Sequence, residues 1–182
     1  DDLFRVIKLA DALRMYDVQY HDGGSFQEEA VSTYKKAIEM ASAKRETLLA
    51  EGEETNRSLS GVLDLNDEMT MDYTARSIDG ILCALHTALG KAYFMANMFD
   101  QAVQSYNRAL EIEPFYLDAV SSRGSSRIIL GLYEEAAQDF TTVIEKDVNR
   151  RFQDVFTGLA RVLQTKENVV PGGWGPMIDI LM

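Results

Sequence analysis

The amino-acid sequence predicts an all-α fold, a right-handed superhelical stack of antiparallel helix pairs that ends in a capping helix. Prolines are scarce: three occur in 182 residues and none in the first 113, which leaves room for long uninterrupted helices. The second observation is an internal repeat, because equivalent residue types recur 34 positions apart. The pairs and triplets that share this offset are Gly90, Gly124 and Gly158; Phe99 and Tyr133; Ala102 and Ala136; Tyr106 and Phe140; and Ala109 and Val143.

Composition excludes several classes of protein. The net charge is -11, which argues against binding to nucleic acid or to an anionic membrane surface, because both need clustered Lys and Arg. No apolar run approaches the roughly 20 residues of a transmembrane helix. One cysteine excludes an internal disulfide framework and a zinc site built from cysteine pairs. The sequence begins Asp1–Asp2 without methionine, so either a leader was removed or the chain was trimmed. We expect an intracellular protein, cytoplasmic or organellar after leader removal, and the compartment is not specified.

The segment from Leu85 to Pro114 carries the most complete copy of the repeat. Its pattern is Leu89-Gly90, Tyr93, Phe99, Ala102, Tyr106, Ala109 and Pro114. This pattern resembles the tetratricopeptide repeat (TPR) family, in which each unit is a pair of antiparallel helices. Small residues at Gly90 and Ala102 let the two helices approach closely, the aromatic residues fill the seam, and Pro114 stops the second helix.

The next unit runs from about Leu117 to Arg150. It keeps Gly124, Gly131, Tyr133, Ala136 and Phe140. It departs from the pattern at Arg123 and Arg127, which add polarity to the first helix, and at Val148, which replaces proline. A third start from Arg151 keeps Gly158 and stops near Lys166, as a terminal capping helix does.

The N-terminal region predicts a divergent helix pair. Its first helix runs from about Leu3 to Val18, and its second carries Phe26, Ala30, Tyr34 and Ala37 in the columns of the second repeat helix. Ser25 and Glu28 form a candidate capping box. The extra length between residues 43 and 80 predicts either two overlong helices joined by a polar loop, or a separate inserted helical hairpin. The predicted organisation is therefore 1–80 for the divergent pair, 81–167 for two TPR units plus the capping helix, and 168–182 for an apolar tail.

The resemblance implies a non-enzymatic interaction module, an adaptor or assembly factor that binds a peptide or helix of a partner protein in a concave groove. The groove residues it implies are Thr87, Lys91, Phe94, Met95, Ser121, Ser122, Ser125, Ile128, Ile129, Val155 and Leu159. The alternative is a permanent structural subunit, docked through the long N-terminal helices and the tail. The apolar residues of the tail that are candidates for contact with a partner are Trp174, Met177, Ile178, Ile180 and Leu181. They either pack back on the chain itself or insert into a partner, and the oligomeric state is left open.

Some TPR proteins hold the acidic C-terminal tails of Hsp70 and Hsp90 chaperones with a clamp of Lys, Asn and Arg. The corresponding positions here read Thr87, Lys91, Ser122, Ser125, Val155 and Phe156. Only Lys91 is a cation, and a carboxylate needs several converging donors to offset its desolvation. We therefore do not expect this chain to bind those tails.

Candidates for chemistry are few. His86 occupies a column that a packing residue normally fills, His21 is assigned to a loop, and Cys83 is predicted to be a small core residue. No nucleophile, base and orienting group share a motif, and no phosphate-binding loop is present. The acidic residues between 51 and 72 do not follow the spacing of a calcium-binding loop. They form either a solvated helix face, which we favour, or a surface for a basic partner. The sequence thus predicts no enzyme, no cofactor and no metal site.

Overall fold

The computed structural model describes residues 2–20, 25–50 and 75–146, and within these ranges the chain is helical with no strand. The helices are α1 (Asp2–Tyr20), α2 (Ser25–Ala50), α3 (Ala75–Met95), α4 (Phe99–Ile112), α5 (Leu117–Ile129) and α6 (Tyr133–Lys146). Each packs against the next along the chain, so α1 with α2, α3 with α4 and α5 with α6 form three consecutive pairs. The predicted all-α, TPR-like fold is confirmed. The predicted capping helix lies outside the described residues.

The N-terminal pair is held by buried small and aromatic residues. Ala30, Tyr34 and Ala37 on α2 are fully buried, as their positions in the repeat columns predict. The Tyr34 hydroxyl donates a hydrogen bond to Asp11 on α1 at 2.6 Å. Arg45 donates to Asp79, which ties the end of α2 to α3.

The division of the chain into units stays partly a prediction. Residues 51–74 lie outside the described ranges, so overlong helices and an inserted hairpin both stay open between α2 and α3. The predicted boundary between residues 80 and 81 falls inside α3, which runs through it without a break. It therefore marks where the repeat pattern begins rather than a gap between helices.

Two glycines set the distance between paired helices. A Cβ built on Gly90 would lie 2.5 Å from the Tyr106 ring, and one built on Gly124 would lie 2.7 Å from the Phe140 ring. Both rings are about 1% exposed, so the close approach of glycine to ring excludes solvent in each pair. The predicted equivalence of the two crossings is confirmed, whereas Gly158 lies outside the described residues.

The turns inside the two repeats are also equivalent. Asn97 and Gly131, 34 residues apart, have positive φ values of 59° and 76°. In the first turn, the amide of Met98 donates to the Tyr93 carbonyl at 2.9 Å and that of Asn97 to the Phe94 carbonyl at 3.0 Å. The second turn repeats both bonds one period later. This is the Schellman arrangement, in which a left-handed residue satisfies the last carbonyls of the helix.

The apolar core divides in the first turn of α5. One cluster runs from α1 through α4 to Ala119 on α5, and its other members include Tyr34, Tyr93 and Tyr106. The other joins α5 to α6 around Phe140. Leu110 on α4 packs against both clusters, so α4 contributes apolar contacts between the two repeats.

Candidate functional site

The first helices of the repeats, α3 and α5, carry the predicted groove residues and contact each other. Lys91 on α3 donates from Nζ to Oδ2 of Asp118 on α5 at 2.9 Å. Their side chains are 37% and 47% exposed, so the pair stays in contact with solvent. Lys91, the one cation among the predicted clamp positions, therefore already has a carboxylate partner within the chain.

The hydroxyl groups along this face bond back to their own helices. Ser125 Oγ donates to the Ser121 carbonyl at 3.2 Å, and Thr87 Oγ1 donates to the Cys83 carbonyl at 2.8 Å. A hydroxyl whose proton is engaged in this way still has oxygen lone pairs available. The hydroxyls at Thr87 and Ser125 are thus acceptors rather than donors.

The predicted groove residues differ in how much surface they present. Phe94, Met95, Ser121, Ser122, Ser125 and Ile128 are half-buried. Thr87 is only 2% exposed, so it supports α3 from inside and offers no surface to a partner. The Phe94 ring meets Phe99 edge to face, with ring centroids 5.4 Å apart, which holds it at the end of α3. Ile129 at the end of α5 is 51% exposed. The other predicted residues lie outside the described ranges: Val155, Leu159, Trp174, Met177, Ile178, Ile180 and Leu181.

A cavity of about 440 Å³ opens on the other side of the first repeat, between α3 and α4. Its walls include His86, Leu89 and Tyr93 from α3, and Ser105 and Arg108 from α4. Burial, together with the nearby positive charge of Arg108, lowers the pKa of His86, and Glu111 opposes this shift. These surroundings favour the neutral form of His86, and its half-buried place in the cavity wall agrees with the predicted packing role.

The equivalent positions of the second repeat hold an ion network. Arg123 on α5 donates to both carboxylate oxygens of Asp139 on α6, from Nε at 3.1 Å and from Nη2 at 2.6 Å. Arg127 donates from Nη1 to Asp139 Oδ2 at 2.5 Å and to the Glu135 carbonyl at 3.3 Å. Arg123 also reaches back to the Asn107 side chain on α4 at 2.7 Å. The Asp139 carboxylate, which is 4% exposed, thereby joins α6 to α5, and Arg123 extends the network to α4.

The sequence pattern identified the two arginines but not Asp139. A signal was present, because Arg123, Arg127 and Asp139 stand 34 residues after Leu89, Tyr93 and Ser105. Two cations at i and i+4 of one helix, with a carboxylate entering the same seam from the paired helix, predict an ion network. The positions that define the repeat are occupied by small or apolar residues, so the repeat pattern does not predict a buried charge.

Cys83 is a core residue, as predicted. Its side chain is 1% exposed, and its thiol lies 3.5 Å from the Ala109 carbonyl, to which it donates. Burial raises the pKa of the Cys83 thiol to about 11, and Glu113 adds to the shift. A thiol that keeps its proton at neutral pH is a poor nucleophile, so Cys83 is structural.

Metal-binding clusters and membrane-spanning helices do not occur in the described part of the chain. Residues 2–20, 25–50 and 75–146 contain no group of three or more His, Cys, Asp or Glu side chains placed to hold a metal ion. None of the six helices described above has the length and hydropathy needed to cross a membrane.

Comparison with known proteins decides the family of the repeat. The sequence model of the tetratricopeptide repeat matches residues 84–116, which span α3 from its middle, the turn and all of α4. Residues 84–116 are a tetratricopeptide repeat. TPR domains are in general protein-interaction modules rather than enzymes. A comparison with curated protein sequences gives no significant match.

Solved TPR structures share the fold of this chain. The first TPR domain of Spaghetti (RPAP3), bound to the HSP90 peptide SRMEEVD, is 22% identical with a TM-score of 0.52, over 87% of this chain and 93% of that one. The first TPR domain of human RPAP3 is 22% identical with a TM-score of 0.53, over 86% and 91%. The TPR domain of Arabidopsis OM64 is 18% identical with a TM-score of 0.51, over 88% and 98%. At these identities the likeness shows the fold alone.

Proposed function

We propose that this TPR chain is a non-enzymatic adaptor or assembly factor that binds a peptide or helix of a partner protein on the concave face along α3 and α5. The observation that carries the proposal is the surface of that face. Phe94, Met95 and Ile128 are half-buried apolar side chains of α3 and α5, and the Ser125 hydroxyl on α5 bonds back to its own helix. A rigid surface of this kind loses little conformational entropy on binding.

The polar groups of this face favour one kind of partner. The hydroxyl of Ser125 donates to its own helix, and Lys91 is paired with Asp118. The face therefore offers acceptors and apolar contact but few donors. A partner segment with apolar side chains and its own N–H donors fits this surface better than an acidic tail does. The HSP90 peptide held by the Spaghetti TPR domain is thus not the ligand proposed for this chain.

A selection from a displayed peptide library tests the proposal directly. Peptides selected on the wild-type chain are measured against Phe94→Asp and Ile128→Asp, which place a charge on the proposed face. We expect each variant to lose at least about tenfold in affinity, since an apolar anchor is removed. The control is Gln104→Asp, at an exposed position on α4, and it should stay within about twofold of wild type.

Two outcomes would count against the proposal. If the selected peptides bind the groove variants and wild type equally, while far-ultraviolet circular dichroism shows unchanged helicity, the concave face is not the binding surface. The peptide SRMEEVD provides a second arm, for which we expect no saturable binding. Tight binding of SRMEEVD would contradict the donor-poor description of the face.

A permanent structural subunit is the second candidate, and exposed apolar side chains in and beside the turns favour it. Phe115, Ile129 and Leu132 are 59%, 51% and 41% exposed. Side chains of this size are covered in a stable assembly. If the second candidate is correct, the isolated chain self-associates in analytical ultracentrifugation, and the double variant Ile129→Ser with Leu132→Ser reduces that association. An adaptor instead stays monomeric with or without these substitutions.

A further inference from the structure

The ion network of the second repeat leaves one donor pair of Arg127 unused. Arg123 holds Asp139 with the fork formed by Nε and Nη2, the two N–H groups on one edge of the guanidinium. Arg127 uses only Nη1, for both Asp139 and the Glu135 carbonyl. Its own Nε and Nη2 fork has no acceptor among the residues that the structure describes. This is the fork that matches a carboxylate in two parallel hydrogen bonds.

The charges of the network do not balance. Arg123 and Arg127 share the single carboxylate of Asp139, so the cluster carries one positive charge in excess. The arginine side chains are only 19% and 18% exposed, and water therefore compensates that charge poorly. Glu135 contributes its backbone carbonyl to Arg127, which does not neutralise the guanidinium.

The guanidinium of Arg127 is also held in place before any ligand arrives. Two acceptors fix its Nη1, and Asp139 is itself fixed by the bidentate contact with Arg123. A fixed fork loses less side-chain entropy on binding than an exposed arginine does. Arg108 gives the contrast within this chain, because its side chain is 67% exposed and pairs with Glu111 on the surface.

We propose that the Nε and Nη2 fork of Arg127 is a binding site for the side-chain carboxylate of an Asp or Glu from a partner protein. One carboxylate carries the one negative charge that the cluster lacks, and its two oxygens match the two donors of the fork. The ion network joins α5 to α6 through Arg127 and to α4 through Arg123, whereas the proposed groove residues Phe94 and Met95 lie on α3. The fork adds an acidic anchor to the proposed function, and the two surfaces can be tested separately.

Arginine side-chain NMR tests the fork without a known partner. The Nε–Hε resonances of the full chain are followed during titration with N-acetyl-glutamate amide, at constant ionic strength set with sodium chloride. The uncharged N-acetyl-glutamine amide is the matched probe. We expect a saturable shift of the Arg127 resonance with the glutamate probe only, and a much smaller, non-saturating shift of Arg108. Equal shifts of the two arginines, or equal effects of the two probes, would overturn the proposal.

Two substitutions of Arg127 distinguish binding by the two-donor fork from binding by positive charge alone. Arg127→Lys keeps the positive charge but lacks the fork, and should weaken binding of the glutamate probe by about tenfold, the loss expected for one hydrogen bond to a charged group. Arg127→Tyr places in the second repeat the residue that the first repeat has at this position, so it removes the charge within a packing the fold already uses. In these variants binding is followed through the resonances of Arg123. Unchanged affinity in Arg127→Lys would show that charge alone is recognised, against the proposal.

Inorganic phosphate and a groove variant provide two further controls. Phosphate is titrated in parallel, and a stronger response to phosphate than to the glutamate probe would contradict the carboxylate assignment. Phe94→Asp, which alters the proposed groove on α3, should leave the Arg127 response intact. A loss of peptide binding in Phe94→Asp together with an intact Arg127 response supports both proposals. Loss of the Arg127 response with retained helicity would contradict an independent site.

Discussion

The two repeats use the same helix crossing and the same turn. They differ in the side chains that fill the seam between their paired helices, which are uncharged in the first repeat and charged in the second. In the first repeat the seam positions are Leu89, Tyr93 and Ser105, and a cavity lies beside them. In the second, the positions 34 residues later are Arg123, Arg127 and Asp139, which form an ion network. The glycine–aromatic contact is present in both. The crossing therefore determines the fold, whereas the seam between the paired helices tolerates either apolar packing or paired charge.

Removal of Asp139 should have the largest effect on stability. Asp139→Ala leaves two mostly buried guanidinium groups without their carboxylate, and breaking a buried ion pair in this way costs about 3–5 kcal/mol. Ser105→Ala is the equivalent change in the first repeat, and it should cost less than about 1 kcal/mol, because only a bond to the Gln101 carbonyl is lost. Urea unfolding of both variants measures the difference. Similar losses would show that the seams contribute alike.

The glycine crossings should respond alike in both repeats. Gly90→Ala and Gly124→Ala drive a methyl group into a buried ring, and overpacking of this kind costs about 1–3 kcal/mol. Gly80 is the matched control, because it lies in α3 with nothing within 4 Å of its Cβ position. Gly80→Ala should instead raise stability by about 0.5–1 kcal/mol through helix propensity. Thermal unfolding of the three variants distinguishes them, and destabilisation by Gly80→Ala would contradict the assignment.

Replacing the ion network of the second repeat with the corresponding residues of the first repeat should change stability less than Asp139→Ala does. The triple variant Arg123→Leu, Arg127→Tyr and Asp139→Ser removes all three charges together, so no uncompensated charge is left. Replacing a buried ion network with apolar residues is often neutral or stabilising, and we expect stability within about 2 kcal/mol of wild type. The dependence of stability on salt should also weaken. A loss as large as that of Asp139→Ala would show that the network is essential for the fold.

The turns should give the smallest change. Gly131→Ala places a Cβ at a φ of 76°, where an L-residue is strained, and should cost about 1 kcal/mol. Asn97→Gly relieves the same conformation in the first repeat and should be neutral or stabilising by a few tenths of a kcal/mol. Gly131→Ala should therefore lower the urea midpoint of unfolding, whereas Asn97→Gly should leave the midpoint unchanged or raise it slightly. A stabilising Gly131→Ala would contradict the left-handed turn.

The sequence predicted the repeat geometry well because the signal is local and periodic. The helix pairs, the crossings at Gly90 and Gly124 and the end of α4 before Pro114 all depend on residue size or backbone chemistry at fixed spacing. The burial of Thr87 and the ion pair of Lys91 could not be predicted in the same way. Burial of Thr87 and the pairing of Lys91 with Asp118 depend on how neighbouring units pack, which the repeat pattern does not specify. The ion network can be recognised in the sequence only when the two units are aligned. The alignment shows that Arg123, Arg127 and Asp139 replace uncharged residues of the first unit.

The contact between Lys91 and Asp118 has a practical consequence. An ammonium nitrogen and a carboxylate oxygen 2.9 Å apart are within reach of carbodiimide coupling, which would join them through an amide without any added spacer. Such a covalent staple would fix α3 to α5 across the junction between consecutive units. A chain closed in this way would reveal whether capture of a partner requires the curvature of the stack to change.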